Sequence, residues 1–166
     1  MLILKDELYN KLKYCKLSGM IEAFDRVYKE TLDNNLTQLD FIEMLLDEEV
    51  INRENNRYKR LLKNASFPTI KTIDTFNFSK AAFLNKKDIM NLLSLDFLNE
   101  NQNIVFIGDQ GTGKTHLVTS IGVEACKQGK SVLFYTAASL GNKLIEMQDQ
   151  ILLTKFIEKL KKVDLL

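Results

Sequence analysis

Apolar residues recur at helical spacing through the first 66 residues of the chain. The pattern is interrupted at Ser18-Gly19 and again at Asp33-Asn34-Asn35. Thr37 then stands three residues before Asp40, a variant of the capping box that marks a helix N-terminus, and the pattern continues to about residue 64. We therefore predict an all-helical N-terminal domain, residues 1–66, folded as a small hairpin or bundle.

The pattern changes after Pro68, which closes the helical part. Two short apolar runs rich in β-branched residues, 103–107 and 131–135, are typical of buried parallel strands. Between them, residues 115–127 have helical spacing and Gly129 provides a stop. Helices are also expected from residue 85, over 137–147 and over 152–162, with 163–166 as the onset of a third strand. The predicted fold class is α/β, with residues 67–166 forming a connector and an incomplete parallel-sheet domain.

The residues between the first predicted strand and the following helix spell G-x-x-x-x-G-K-T, from Gly108 to Thr115. This is the phosphate-binding loop of nucleoside triphosphatases. Glycines let the backbone curl and let phosphate oxygens approach without meeting a Cβ. The N–H groups and dipole of the following helix favour an anion at its N-terminus. The loop and its strand–loop–helix setting together predict a P-loop nucleotide site.

The chemistry of such a site assigns a role to each polar group. The Lys114 ammonium would reach the β- and γ-phosphates of ATP, and the Thr115 hydroxyl would bind Mg²⁺. The predicted nucleotide-binding residues are Gly108, Asp109, Gln110, Gly111, Thr112, Gly113, Lys114, Thr115 and His116. His116 either touches a phosphate or packs against neighbouring residues. We assign it no proton-transfer role, and we assign no catalytic role to any other residue.

An extended connector, 69–78, carries two aromatic residues, Phe76 and Phe78. They either fill the seam between the helical part and the nucleotide-binding part or line the pocket for the nucleotide base. The residues by themselves leave both interpretations open.

The chain has 166 residues, of which 45% are apolar and 27% charged, with a formal charge of +1. This composition is that of a soluble globular protein and gives no overall attraction to nucleic acid. No apolar stretch approaches the roughly 18 residues needed to span a bilayer, and the N-terminus does not resemble a signal peptide. Cys15 and Cys126 are expected to be reduced thiols within helices. We expect a cytoplasmic protein.

The far half of the long predicted helix is basic. Arg53, Arg57 and Arg60 share one helix face, and Lys63 continues it toward the next turn. Such a face either is solvated or follows the phosphates of DNA. The nearby acidic turn at Asp47-Glu48-Glu49 fits a solvated helix equally well.

Several stretches together resemble the IstB-like helper ATPases of insertion-sequence transposition, which are related to the DnaC-type helicase loaders of the AAA+ class. The matching stretches are 17–20, 41–49, 65–68, 71–78 and 113–117. The resemblance covers essentially the whole chain. It implies ATP binding, self-association on double-stranded DNA with mostly backbone contact, and engagement of a transposase. The resemblance also implies that the basic helix face contacts DNA or a partner. The residues of this face are Arg53, Arg57, Arg60 and Lys63.

In the family, a strand onset such as Val163-Asp164-Leu165-Leu166 continues into the Walker B acids, a sensor residue and an arginine finger. This sequence lacks them and looks truncated before Walker B. Because these groups fix Mg²⁺ and neutralise transition-state charge, we expect this chain alone to hydrolyse ATP poorly. A parallel sheet is normally covered on both faces, so we also expect either a fragment or a self-associating chain.

Two other functions remain open at this point. The first alternative to a transposition helper is a replicative helicase loader, whose partner would be a helicase rather than a transposase. A third hypothesis is a non-catalytic interaction module whose phosphate loop no longer binds nucleotide. Sequence-independent DNA contact is expected, since no base-reading helix motif is present.

Overall fold

The computed structural model describes residues 4–81, 83–147 and 150–166. The chain groups into two compact units, Met1–Arg57 and Tyr58–Leu166. The boundary between them falls inside one long helix. The predicted division of roles between residues 1–66 and 67–166 stays a prediction.

The first unit is helical, as the periodicity predicted. Helix α1 spans Asp6–Tyr14, α2 spans Ser18–Asp33, and α3 spans Gln38–Ala65 and continues into the second unit. The predicted cap before α3 is confirmed. The Asp40 carboxylate accepts hydrogen bonds from the Thr37 hydroxyl (2.7 Å) and N–H (2.8 Å), while the Asp40 N–H donates to the Thr37 hydroxyl at 3.2 Å. These hydrogen bonds from Thr37 lower the pKa of Asp40.

The core of the first unit lies on one face of α2. Phe24 meets Phe41 of α3 edge to face, with ring centroids 5.6 Å apart, and Val27 is completely buried. Edge-to-face packing suits the quadrupoles of the two rings. The buried members of this core are Leu4, Met20, Ala23, Phe24, Val27 and Leu45.

Gly19 belongs to α2 rather than to the turn before it. The turn lies slightly earlier than predicted, where Lys16 adopts a φ of +58°. A Cβ on Gly19 would lie 2.7 Å from the Glu48 carbonyl oxygen and 2.8 Å from the Asn52 Cβ. The absence of a side chain at this position therefore lets α2 and α3 approach closely.

The close approach brings the Glu49 carboxylate of α3 to the N-terminus of α2. One carboxylate oxygen accepts the Gly19 N–H at 2.7 Å and the Met20 N–H at 3.4 Å. The other accepts the Arg53 Nε–H at 2.6 Å. The residue before α2, Leu17, provides no side-chain cap, so a residue 30 positions away from Gly19 caps the helix instead.

The second unit contains the remaining helices of the described residues. Two short 3₁₀ turns, Ile73–Thr75 and Phe78–Ala81, interrupt the connector. The helices that follow are α4 (Lys86–Leu92), α5 (Asp96–Asn99), α6 (Lys114–Lys127), α7 (Ala137–Glu146) and α8 (Gln150–Leu160). Each lies within a few residues of a helical pattern or start identified in the sequence, except the single turn of α5.

Helix α6 is the centre of the second unit. Its Ile121, Ala125 and Cys126 pack with Ala65, the last residue of α3, and with Leu95, Phe97 and Val132. Gly122 fits against Phe67, because a Cβ there would lie 2.8 Å from the Phe67 Cζ. Helix α6 is thus fixed mainly by its C-terminal two thirds, while Thr115 in its first turn is exposed.

The predicted parallel-sheet domain is not seen, and the α/β fold class is therefore wrong for the described residues, which contain helices but no strand. Residues 103–107 form no β-ladder; Val105 is 77% exposed and Ile107 92% exposed. Residues 131–135 form one isolated parallel bridge, Val132 with Leu165. A strand exists only where a neighbouring segment pairs with its backbone, and in the described residues neither apolar run is paired in this way beyond the bridge at Val132.

The two thiols differ in their surroundings. Cys15, directly after α1, is exposed, whereas Cys126 in α6 is completely buried; neither forms a disulfide. Burial raises the pKa of Cys126 to about 11. Within the described ranges, no helix is both long enough and apolar enough to cross a membrane.

Candidate nucleotide-binding site

The phosphate loop adopts backbone conformations that only glycine takes readily. The φ angles are +156° at Gly108, +82° at Gly111 and +90° at Gly113. Gly113 is the residue directly before α6, and the first bond of that helix is donated by the Leu117 N–H to the Gly113 carbonyl at 3.0 Å. The N–H groups of the preceding residues in the first turn have no acceptor within the helix, so they are available to an anion.

Gly113 is required for a second reason. A Cβ at this position would lie 2.7 Å from the Cε2 atom of Phe76. The ring of Phe76 therefore packs directly on the loop backbone, and it also meets Phe78 edge to face at 4.9 Å between centroids. The structure thus places the first connector aromatic at the phosphate loop.

The Lys114 ammonium folds back onto its own loop. It donates to the carbonyl oxygens of Gly108 at 2.8 Å and Asp109 at 2.6 Å, and it lies 3.4 Å from the Thr112 hydroxyl. The Thr112 hydroxyl in turn donates to the Asp109 carbonyl at 2.8 Å. These bonds hold the loop in a closed curl around the lysine head. Two of the three ammonium N–H donors are therefore used within the loop, and the third has only the long Thr112 contact.

A surface cleft of about 380 Å³ opens over the loop and the first turn of α6. Thr115, the predicted Mg²⁺ ligand, is exposed at its wall, and Gly111 has no neighbouring atom within 4 Å of a Cβ position. The residues that line the cleft are Lys71, Gln110, Gly111, Gly113, Lys114, Thr115 and His116. The cleft thus collects most of the predicted nucleotide-binding residues.

Lys71 is the lining residue that the site prediction missed. It comes from the connector, more than thirty residues before the loop. The only sequence signal was its place in the stretch 71–78, which resembles the family but carried no role. A motif search finds the loop, whereas a cation brought in from elsewhere in the chain requires the tertiary structure.

His116 is bound to the connector. Its Nε2 lies 3.0 Å from the Thr72 carbonyl oxygen and 3.2 Å from the Thr75 hydroxyl. Its ring meets Phe76 edge to face at 5.2 Å. In this structure His116 makes packing and hydrogen-bonding contacts with residues 72–76, and these contacts fix the connector against the first turn of α6.

The basic residues predicted for DNA contact are not equivalent. Arg53 donates to Glu49 and lies 3.5 Å from the Lys16 carbonyl, so its head group is engaged within the first unit. Arg57, Arg60 and Lys63 are exposed on α3. Arg57 also has an interaction within the chain. Arg60 and Lys63 are the members of the predicted basic face that lie within the second unit, and both are exposed.

The fit of the site to ATP and Mg²⁺ can be judged from its donors. The N-terminus of α6, the positive-φ glycines and two lysines in one cleft suit a polyphosphate. The exposed Thr115 hydroxyl is a hard oxygen of the kind that Mg²⁺ accepts. In the part of the chain that the structure describes, no group of three or more His, Cys, Asp or Glu residues is arranged to hold a metal ion.

Comparison with known proteins gives the family. Residues 10–166 match the family described as IstB-like ATP binding protein. This chain belongs to that family. The family prediction made from the sequence motifs is therefore confirmed, and ATP binding is the property that the family description states.

Several curated proteins are similar in sequence to this chain. A protein named for ATP binding in insertion sequence IS232 of Bacillus thuringiensis subsp. berliner is 37% identical over 128 residues, covering 77% of this chain and 51% of that protein. Its counterpart in IS5376 of Geobacillus stearothermophilus is 33% identical over 141 residues, covering 85% and 56%. The one in IS21 of Pseudomonas aeruginosa is 28% identical over 153 residues, covering 92% and 57%. The chain spans about half the length of these relatives.

Proposed function

We propose that this chain binds ATP with Mg²⁺ at the loop 108–116 and acts as an ATP-binding helper of insertion-sequence transposition. The observation that carries the proposal is the loop itself, in which Gly113 at φ +90° opens an exposed helix N-terminus in a chain of the IstB-like family. The role in transposition rests on the names of the relatives, which tie their ATP-binding proteins to insertion sequences.

Each part of the loop has a defined task in this proposal. The N–H groups of the first turn of α6 bind phosphate oxygens, and the glycines allow the close approach. The Lys114 ammonium leaves the Gly108 and Asp109 carbonyls for the β- and γ-phosphates. The Thr115 hydroxyl would hold Mg²⁺, which would supply positive charge beside the phosphates. His116 supports the loop through the connector.

We further propose that the basic face of α3 contacts the phosphate backbone of double-stranded DNA without reading the sequence. Arg60 and Lys63 are the residues assigned to this contact, because Arg53 is engaged with Glu49 and Arg57 also has an interaction within the chain. A partner transposase and self-association on DNA complete the proposal.

Nucleotide titration tests the central claim. A fluorescent ATP analogue with Mg²⁺ is titrated against the wild-type chain, Lys114→Ala and the control Lys127→Ala, which removes an exposed lysine from the other end of α6. Loss of charge-assisted hydrogen bonds to phosphate is expected to weaken binding at least roughly tenfold in Lys114→Ala alone. Equal affinity of the three proteins would contradict a working phosphate loop.

A further inference from the structure

Lys71 lies in the cleft over the phosphate loop without an acidic partner. It lines the same wall as Gly111, Gly113 and Lys114, and its side chain is half-buried. Among the described residues, no carboxylate pairs with it. The cleft therefore has two lysines in its lining, and a polyanion bound there would pair with both.

Hydrogen bonds at His116 hold the connector that carries Lys71. The Thr75 hydroxyl donates its single hydrogen to the Thr72 carbonyl at 2.8 Å. The Nε2 atom of His116 lies within hydrogen-bond distance of both of these oxygens. Because the hydroxyl hydrogen is already used and a carbonyl can only accept, Nε2 must carry the hydrogen and donate to both.

The ring of His116 strengthens this connection. Phe76 packs edge to face against this ring and lies against the Gly113 backbone. Residues 72–76 are therefore held by hydrogen bonds and by an aromatic contact. Lys71 directly precedes this fixed segment. Its backbone is therefore placed beside the first turn of α6 by contacts that do not involve its own side chain.

We propose that Lys71 is a second cation for the phosphates of the bound nucleotide, and that His116 is the positioning residue that holds it over the loop. The inference rests on the proposed function, since it assigns residues to the same nucleotide site. Lys114 is partly committed to loop carbonyls, whereas the Lys71 ammonium makes no such bond to any described residue. A polyphosphate ligand would pair with both lysines.

The test measures MgATP affinity by calorimetric titration for Lys71→Gln, Lys71→Arg and the control Lys127→Gln. Lys71→Gln is expected to weaken binding roughly tenfold and to reduce the dependence of affinity on salt. Lys71→Arg keeps the charge and is expected to stay within about threefold of wild type. Lys127→Gln is expected to bind as wild type does.

The positioning role has its own readout. His116→Leu removes the donor and is expected to lose as much affinity as Lys71→Gln, while His116→Asn retains an N–H donor and is expected to recover part of it. Because His116 acts through Lys71, the double variant His116→Leu with Lys71→Gln is expected to lose little more than either single variant. Circular dichroism of each variant confirms that the fold is kept.

The outcomes separate the two proposals. If the wild-type chain does not bind MgATP, or Lys114→Ala binds equally well, the proposed function fails and the role of Lys71 fails with it. If Lys114→Ala abolishes binding while Lys71→Gln binds as wild type does, only the role of Lys71 is overturned. Fully additive losses in the double variant overturn the positioning role of His116.

Discussion

Replacing Glu49 by glutamine tests the contact that joins α2 to α3. Glu49 is 4% exposed and accepts the Gly19 and Met20 N–H groups as well as the Arg53 Nε–H. Glutamine has the same shape but only one acceptor oxygen. If that oxygen faces Gly19 and Met20, the amide NH₂ group faces the Arg53 donor, and one charge-assisted hydrogen bond is lost.

The size of the effect follows from these contacts. A hydrogen bond to a charged group contributes about 1.5–3 kcal/mol. The Arg53 side chain is 61% exposed, so water recovers part of its loss. The α2 N–H groups are buried and their bonds weaken when the acceptor loses its charge. We expect Glu49→Gln to lower the free energy of unfolding by about 2 kcal/mol, a large share of the 5–15 kcal/mol typical of a domain.

Urea unfolding followed by circular dichroism measures this change, since the chain has no tryptophan. At an m-value of about 2 kcal/mol/M, the midpoint is expected to fall by about 1 M. The matched control is Glu43→Gln, an exposed carboxylate on the same helix. A midpoint for Glu49→Gln within about 0.2 M of that control, given the same m-value, would refute the assigned role.

The difference in stability between the wild-type chain and Glu49→Gln is expected to depend on pH. Burial raises the pKa of Glu49, but the hydrogen bonds from Arg53, Gly19 and Met20 outweigh it, and the net pKa is below the ordinary value of 4.5. A lowered pKa means that the carboxylate stabilises the fold above pH 4.5 and that this contribution is lost as the pH falls through the folded value. The stability gap between wild type and Glu49→Gln should close in acid.

Two further predictions concern thiol reactivity and DNA binding. Iodoacetamide should alkylate the exposed Cys15 rapidly and the buried, high-pKa Cys126 only after local opening. Peptide mass spectrometry with and without urea measures the two alkylation rates. Equal rates without urea would contradict the packing of α6. Replacing Arg60 and Lys63 together by glutamine should weaken binding to random duplex DNA and reduce the salt slope by about 2, as measured by fluorescence anisotropy. Lys127→Gln is the control, and an unchanged slope would remove this face from the DNA contact.

Local sequence signals predicted the helices well because helical hydrogen bonds join residues close together in the chain. The capping pair Thr37 and Asp40 forms as expected. Asn85, identified as a helix start, accepts the Lys87 N–H at 3.0 Å before α4. The phosphate loop and the start of α6 follow the same rule, since glycine spacing sets the local backbone.

The same signals failed for the sheet because strand pairing depends on a distant segment. Residues 103–107 have the composition of a buried strand, yet Ile107 is 92% exposed. The run 131–135 finds only the bridge to Leu165. Composition reports how well a segment suits a strand, and only the neighbouring backbone decides whether a strand forms.

The sequence by itself determined the family, the helical segments and the loop 108–116, since each is encoded in a continuous stretch of residues. Only the tertiary structure decided which distant groups meet these stretches. It placed Glu49 on the N-terminus of α2, and it brought Lys71 to the phosphate loop through the contact of His116 with Thr72, 44 residues apart. Such contacts depend on how helices and connectors pack, and no local pattern of residue types records that packing.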